Sequence, residues 1–338
     1  MPRLFHARTL LTVLRTGNPR ARLRATRDAQ AAVRLHLGAA GLATGVLDAV
    51  AAGPGGTTEL ARRLGVADEE LLGAFLAVLA AGGLVRGDPA HWALAGAGRA
   101  VVGDDLVRAT YEAFAGFHTG LYRDLGELLA GGPRRRDVAE QGGVIARVSA
   151  AFEPFVEDVL REVVAAAPPR RVLDVGCGTG LQLATVLAAA PGAEGVGVDV
   201  DADAAALARR TLEERGFSGR ATVVQDDVRR LTGDRPFDLA LLANVVYYLP
   251  VQERAALLAD VAARLAPGGT LLLVTTVVTP QLFSRHFDLL LRAQEGAMSL
   301  PAVDELTTAL RDAGLRPREP RRIAPGAPLV AVAAVLPA

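Results

Sequence analysis

Lysine is missing from all 338 residues, and the 37 basic positions are arginine throughout. An equal 37 acidic residues bring the formal net charge to zero. That balance excludes the global attraction to nucleic acid or acidic membranes that a strongly basic chain exerts. With so much alanine and glycine alongside, the arginine bias reads as the coding preference of a GC-rich genome. It carries no chemistry. One cysteine, Cys177, excludes an intramolecular disulfide framework and any multi-cysteine metal site. Long apolar runs are also lacking: Gly, Arg or Asp interrupts each well before the ~20 residues of a membrane span. The first 27 residues hold seven arginines around LLTVL, an apolar core too short for a secretory signal. A surface or subunit-contact helix is expected there, a targeting helix being the other reading, and the protein is expected to be cytoplasmic.

What is present is ample core material. Apolar residues make up 51% and charged residues 22%, and the length suffices for two domains. From about 20 to 103 the chain reads as short helices with turn punctuation. AQAAVRLHLGAAGLATGVLDAVAAG has helical spacing up to GPGG, TTELARRLGV offers Thr57 and Thr58 as N-caps, and ADEELLGAFLAVLAAGG opens on Asp68. GLVRGDPAHWALAGAGRAVVG reads as a small hairpin turning at Gly87-Asp88-Pro89, so the whole has a winged-helix pattern. Residues 104–168 are again helical, with a polar loop at GGPRRRDVAEQGG and a stiff Pro168-Pro169 joint.

From Arg171 the pattern changes to apolar strands separated by helices: RRVLDVGC, AEGVGVDV, ATVVQDD, FDLALLANVV and TLLLVTTVV. This is the signature of a parallel sheet covered on both faces. Two more extended runs, RPREPRRIA and APLVAVAAVLPA, fit a terminal antiparallel pair. VLDVGCGTG is the strongest motif. A buried strand enters Gly176, Gly178 and Gly180, which let the backbone turn sharply and a ligand approach closely. Asp199 ends the next strand, where a carboxylate can accept from both ribose hydroxyls of a nucleoside. Asp226 and Asp227 end the third, and one of them could accept from an adenine amino group. The Gly-x-Gly-x-Gly spacing is not that of dinucleotide enzymes. Asp174 would repel a pyrophosphate but suits an ammonium or sulfonium. Cys177, inside the loop, reads as a packing residue.

This set resembles class I S-adenosylmethionine-dependent methyltransferases, whose Asp-x-Gly-x-Gly-x-Gly loop holds the methionine part of the cofactor. The resemblance covers about 170–338 and includes the Pro-Gly-Gly turn of LAPGGTLLLV. The front segment resembles the N-terminal dimerisation domain of small-molecule O-methyltransferases, through Thr-Thr-Glu-Leu-Ala, Leu-Gly-Val, an apolar helix and a wing. The fold implied is a Rossmann-like seven-stranded methyltransferase domain, 169–338. A winged-helix-like dimerisation domain, 1–103, and a helical linker, 104–168, precede it. DNA binding is disfavoured because the helix after Asp68 opens with Glu69 and Glu70, which phosphates would repel. The resemblance implies a homodimer with S-adenosylmethionine as cofactor and a small-molecule acceptor, and no metal, nucleic acid or membrane partner.

Methyl transfer needs alignment, exclusion of water and, for a phenol, a general base. The fourth strand, FDLALLANVV, leads into Asn244 and the adjacent Tyr247 and Tyr248, at the strand ends where such sheets bind ligands. In the family a histidine usually stands where Tyr247 does. With an ordinary pKa near ~10, a tyrosine is a poor base at neutral pH and better suited to orienting an acceptor. His118 and His286 are the remaining base or acceptor-contact candidates. Phe114, Phe117, Tyr122 and Phe152 are candidate pocket residues with Tyr248, and Ser149 a candidate for the cofactor carboxylate. The expected function is methylation of a small molecule, a secondary metabolite, with oxygen favoured as acceptor and carbon or nitrogen open. A non-methylating rearrangement and a winged-helix regulator with a vestigial cofactor domain are the alternatives.

Overall fold

The computed structural model describes residues 12, 16–233 and 235–338, so His6 and most of the arginine-rich arm lie outside the described residues. The chain divides into two compact units, Met1–Arg123 and Asp124–Ala338.

The first unit begins with α1 (Pro19–Ala43), whose Asn18 side chain caps it by accepting from the Ala21 N–H. The sequence pattern continues as one helix to GPGG, but Gly45 adopts φ +72° and breaks it, starting α2 (Val46–Ala52) at 62° to α1. Helix α3 (Thr57–Leu64) is capped by Gly56, correcting the expectation for Thr57 and Thr58. Thr57 faces the hairpin instead: its hydroxyl donates to the Pro89 carbonyl and accepts from the Trp92 indole at 3.0 Å. Asp68 does cap α4 (Glu69–Ala81), accepting from the Leu71 N–H at 2.9 Å. Strands β1 (Val85–Asp88) and β2 (His91–Leu94) pair antiparallel with Asp88 opposite His91, so the turn is Pro89-Ala90, one residue later than expected. The rest of the expected hairpin is a helix, α5 (Gly96–Gly103). A Cβ at Gly98 would lie 1.9 Å from the Leu84 carbonyl oxygen, so this glycine serves close packing and does not break the helix. Leu47, Leu60, Leu76 and Leu79 form the buried centre. Helix α6 (Asp105–Ala113) runs through a five-residue π turn, Phe114–His118, into α7 (Thr119–Leu129).

The second unit carries α8 (Asp137–Glu140), α9 (Gly142–Ser149) and α10 (Glu153–Ala166) before its sheet. The elements then alternate as β3 (Arg171–Val175), α11 (Leu181–Ala189), β4 (Glu194–Asp199), α12 (Ala202–Glu214) and β5 (Ala221–Gln225). They continue with β6 (Phe237–Ala243), α13 (Val251–Ala262), β7 (Leu265–Thr276), α14 (Leu282–Arg292), α15 (Val303–Asp312), β8 (Arg316–Pro317), β9 (Arg321–Arg322) and β10 (Leu329–Val335). The sheet order is β5-β4-β3-β6-β7-β10-β8, with β9 also paired to β10. Strands β3 to β7 are parallel, and β10 returns antiparallel beside β7.

Two cores follow from strand alternation. Val172, Leu239, Leu241 and Leu272 face α10, α11 and α12. Their neighbours Leu173, Ala240, Leu242, Leu271 and Leu273 face α13 and α15. The Pro-Gly-Gly turn lies within β7 as a register shift: Phe237 pairs with Leu265 and Leu239 with Thr270. The excursion stays bonded, Gly268 N–H to the Leu336 carbonyl and Leu336 N–H to that of Gly269.

Candidate active site

Strand β3 delivers the chain into the loop Gly176–Gly180 at the carboxyl edge of the sheet. All three glycines take positive φ, +66°, +52° and +76°, a region costly for other residues. Each has a different neighbour. A Cβ on Gly176 would meet Val245 at 2.5 Å, and one on Gly180 would press on the α12 backbone at Ala208, 3.1 Å away. A Cβ on Gly178 would meet only the Gly176 carbonyl oxygen, at 4.0 Å, so this part of the loop faces open space. Cys177 points inward against Gly197 and Leu183, and burial pushes its thiol pKa up, away from the reactive thiolate.

Asp174 lies on β3 two residues before Gly176 and is 1% exposed, yet among the described residues its Oδ2 has no hydrogen-bond partner. Burial, then repulsion from Asp199, raises its pKa to about 7. A buried, half-satisfied carboxylate is costly in the free protein and suited to a cationic ligand. Asp199 is differently placed. Its Oδ2 accepts from the Gly178 N–H at 2.9 Å and its Oδ1 from the Asp201 N–H at 3.0 Å. Each oxygen retains about one further acceptor position. The site therefore fits the expected nucleoside-sulfonium cofactor: an open glycine turn, an acceptor pair at Asp199 and an unmet negative group at Asp174.

At the end of β5, Asp226 accepts through Oδ1 from the Asp227 N–H and the Arg230 guanidinium, both at 2.7 Å. Asp227 caps the short turn Val228–Arg230 and pairs with Arg229. The arginines hold both carboxyls below the ordinary range, so both stay acceptors at neutral pH. Asp226 keeps Oδ2 clear of these bonds, whereas Asp227 uses both oxygens on Arg229.

The end of β6 is built from different material. Asn244 takes φ +58° and donates its N–H to the Val274 carbonyl at 2.7 Å, turning the chain into a 3-10 turn, Val246–Tyr248. Tyr247 is 5% exposed and packs with Leu291 and Leu300, its ring edge-on to Tyr248 at 4.6 Å and to Phe287 at 5.4 Å. Burial drives its hydroxyl well above the ordinary 10, and a hydroxyl hydrogen bond with Tyr248 adds to the shift. Tyr247 is thus a hydrogen-bond donor at any neutral pH. The turn is locked from outside. Ser299 N–H reaches the Tyr247 carbonyl at 3.3 Å, and Ser299 is gripped by the buried Arg254 through Oγ at 3.1 Å. Arg254 also pairs with Glu305 at 2.9 Å. Asp288 accepts from the Leu300 N–H at 2.9 Å. His286 stands on the same helix as Asp288 and Phe287, half-buried, and burial lowers its pKa, which keeps it neutral at pH 7.

The remaining expected residues fall into two groups. Phe152 ends a short turn before α10 and packs on the sheet core, while Ser149 closes α9. His118, Phe117, Phe114 and Tyr122 belong to the first unit. There His118 is buried and stacks on Phe114 at 4.2 Å with 4° between rings, Phe117 lies 4.6 Å from it, and Tyr122 is exposed. Sequence reading passed over Glu153, Gln182 and Val245. Gln182 Nε2 holds both oxygens of Glu153, at 2.9 and 2.7 Å, and burial raises the Glu153 pKa. The positions of Gln182, two residues past Gly180, and of Val245 in NVVYY gave weak hints. The reach of Glu153 from another helix gave none.

Residues 172–269 match the family described as a methyltransferase domain and form such a domain. A protein-L-isoaspartate O-methyltransferase of Koribacter versatilis (strain Ellin345) is 31% identical over 153 residues, 45% of this chain. The match spans 62% of that relative. Among solved structures, the mitomycin 7-O-methyltransferase MmcR aligns with TM-score 0.77 at 21% identity, covering 94% of this chain and 98% of that one. TnmH aligns with TM-score 0.73 at 25% identity, covering 95% and 100%. PigF, solved with SAH, aligns with TM-score 0.76 at 19% identity, covering 94% and 100%. The class I methyltransferase fold thus extends beyond the matched domain, with a helical N-terminal region ahead of it.

Proposed function

We propose that this chain is an S-adenosylmethionine-dependent methyltransferase acting on a small-molecule acceptor, with oxygen as the favoured acceptor atom. One observation carries the reading: a buried carboxylate with an unpartnered oxygen, Asp174, stands beside an open left-handed glycine loop. Asp199 holds the ribose hydroxyls, Gly176 and Gly178 let the cofactor lie on bare backbone, and Asp226 accepts from the base. Asn244 turns the β6 edge toward the same site. When bound, S-adenosylmethionine supplies a methyl group on a positively charged sulfur, already activated for transfer.

The chain's own work is to bind, orient and take up a proton. Tyr247, kept protonated and donating to Tyr248, cannot serve as base; its proposed role is to orient the acceptor through that hydroxyl pair. His286, kept neutral by burial, is the proposed proton acceptor in the sheet unit. His118 is proposed as an acceptor contact, and Phe117, Tyr122, Phe152 and Tyr248 as apolar acceptor residues. In this reading residues 1–103 form a winged-helix-like segment that pairs two copies, 104–168 complete the acceptor side, and 169–338 hold the cofactor. The copies work as a dimer in the cytoplasm. No single helix among the described residues is long and apolar enough to cross a membrane, although α1 and α2 pass that test as a bent pair.

The test is incubation with S-adenosylmethionine and a panel of small phenols, amines and activated-carbon acceptors, following S-adenosylhomocysteine and product mass. A 14-dalton gain on a phenolic oxygen is expected. Cofactor binding with conversion of a substrate and no methyl gain would contradict methyl transfer, and light scattering at the monomer mass would contradict pairing.

A further inference from the structure

Three carboxylates converge behind the glycine loop from three elements. Asp174 comes from β3, Asp199 from β4 and Glu153 from the first turn of α10. No arginine or histidine hydrogen-bonds to any of them among the described residues. Arg209 of α12 acts electrostatically on the neighbouring Cys177 thiol but is bonded to the Val223 carbonyl at 3.1 Å. Asp199 has spent one acceptor position per oxygen on backbone N–H groups. Asp174 has spent none on Oδ2. Among the described residues Glu153 is engaged only by an amide: Gln182, the second residue of the helix that leaves the glycine loop, brings its Nε2 to both carboxylate oxygens.

The chemistry of that last contact is informative. An arginine at position 182 would hold Glu153 equally well but would cancel its charge. A glutamine fixes the carboxylate in place and leaves it negative. Fixing a half-buried acid beside a fully buried one, with no cation, raises the free energy of the free protein. A cationic group arriving between them would relieve both.

We propose that Glu153, held in position by Gln182, is a second acceptor for the ammonium group at the amino-acid end of the cofactor, acting with Asp174. This rests on the cofactor reading above and adds to it a residue outside the glycine loop. Glu153 binds and Gln182 positions. Binding is also linked to pH. Asp174 is faced by Asp199, Glu153 and the Cys177 thiol, the last also under the influence of Arg209, and its pKa is raised to about 7 in the free protein. The ammonium requires Asp174 ionised, so affinity rises as pH passes upward through that value. Removing the Glu153 charge removes one source of repulsion and moves the midpoint to lower pH.

The experiment compares two ligands by calorimetry on the full-length protein: S-adenosylhomocysteine, which has the amino-acid end, and 5′-methylthioadenosine, which lacks it. Glu153→Gln should weaken the first about tenfold and leave the second unchanged. Gln182→Leu, which keeps the Glu153 charge, should weaken the first by less and again spare the second. Between pH 6 and 8 the wild-type affinity for S-adenosylhomocysteine should climb, with a lower midpoint in Glu153→Gln. Equal weakening of both ligands would make Glu153 structural and overturn the proposal, as would an unchanged ratio between them. Wild-type protein that binds neither ligand would overturn the cofactor reading itself and this proposal with it.

Discussion

The glycine loop after β3 and the tyrosine turn after β6 end neighbouring strands of one sheet, yet they are opposite kinds of structure. The first is polar, open and under-satisfied, with three residues in the left-handed region and a buried carboxylate oxygen lacking a partner. The second is apolar and closed, with Tyr247 inside an aromatic and leucine cluster and its backbone tied to Ser299. A region that leaves charge unmet in the free protein is prepared for a ligand that supplies the counter-charge. A region that satisfies itself fixes a shape. In the proposed reading the loop binds the cofactor and the turn orients the acceptor, and the contrast supports that division.

Changes at the two ends should separate in the same way. The largest effect is expected from Asp174→Asn on the free protein. The folded-state pKa of Asp174, about 7, lies above its ordinary 3.8. The stability tied to its protonated form is therefore complete below the ordinary value and lost as pH rises through the folded one. Asparagine removes that loss, so at pH 8 the variant should be more stable by up to about 4 kcal/mol, with no gain at pH 4. Denaturant melts at both pH values check this, and equal stability at pH 8 would mean that the carboxylate already has a partner. Asp199→Ala comes next. Loss of a charged acceptor for two hydroxyls, and of the anchor for Gly178, should weaken S-adenosylhomocysteine by about a hundredfold. Calorimetry reads it, and unchanged affinity would remove Asp199 from the site.

Tyr247→Phe should be the mildest. Losing one hydroxyl pair costs stability about 1 kcal/mol, and cofactor affinity should not move. Turnover should fall severalfold; full activity would reduce the residue to packing, and a loss of cofactor affinity would erase the contrast between the two ends.

The loop was legible because its chemistry is local. Positive φ demands glycine, the strand that feeds it is continuously apolar, and the carboxylates of Asp174 and Asp199 fall at fixed distances from it. The alternation that placed β3 to β7 in a parallel sheet is likewise written residue by residue. What could not be read depends on contacts between distant segments. Nothing near Glu153 announces Gln182, and nothing in NVVYYLP shows that Arg254 and Asp288 press residues 299–300 over Tyr247. The front unit went astray for related reasons. Thr57 looked like a cap because its partner Trp92 is 35 residues away, and Gly98 looked like a loop residue because its need to approach Leu84 is tertiary.

Titration of the full-length wild-type protein with S-adenosylhomocysteine at pH 8 tests the central claim most directly. The account predicts binding at one molecule per chain, tighter at pH 8 than at pH 6 as Asp174 ionises. A titration without heat or saturation at either pH, on folded protein, would contradict it.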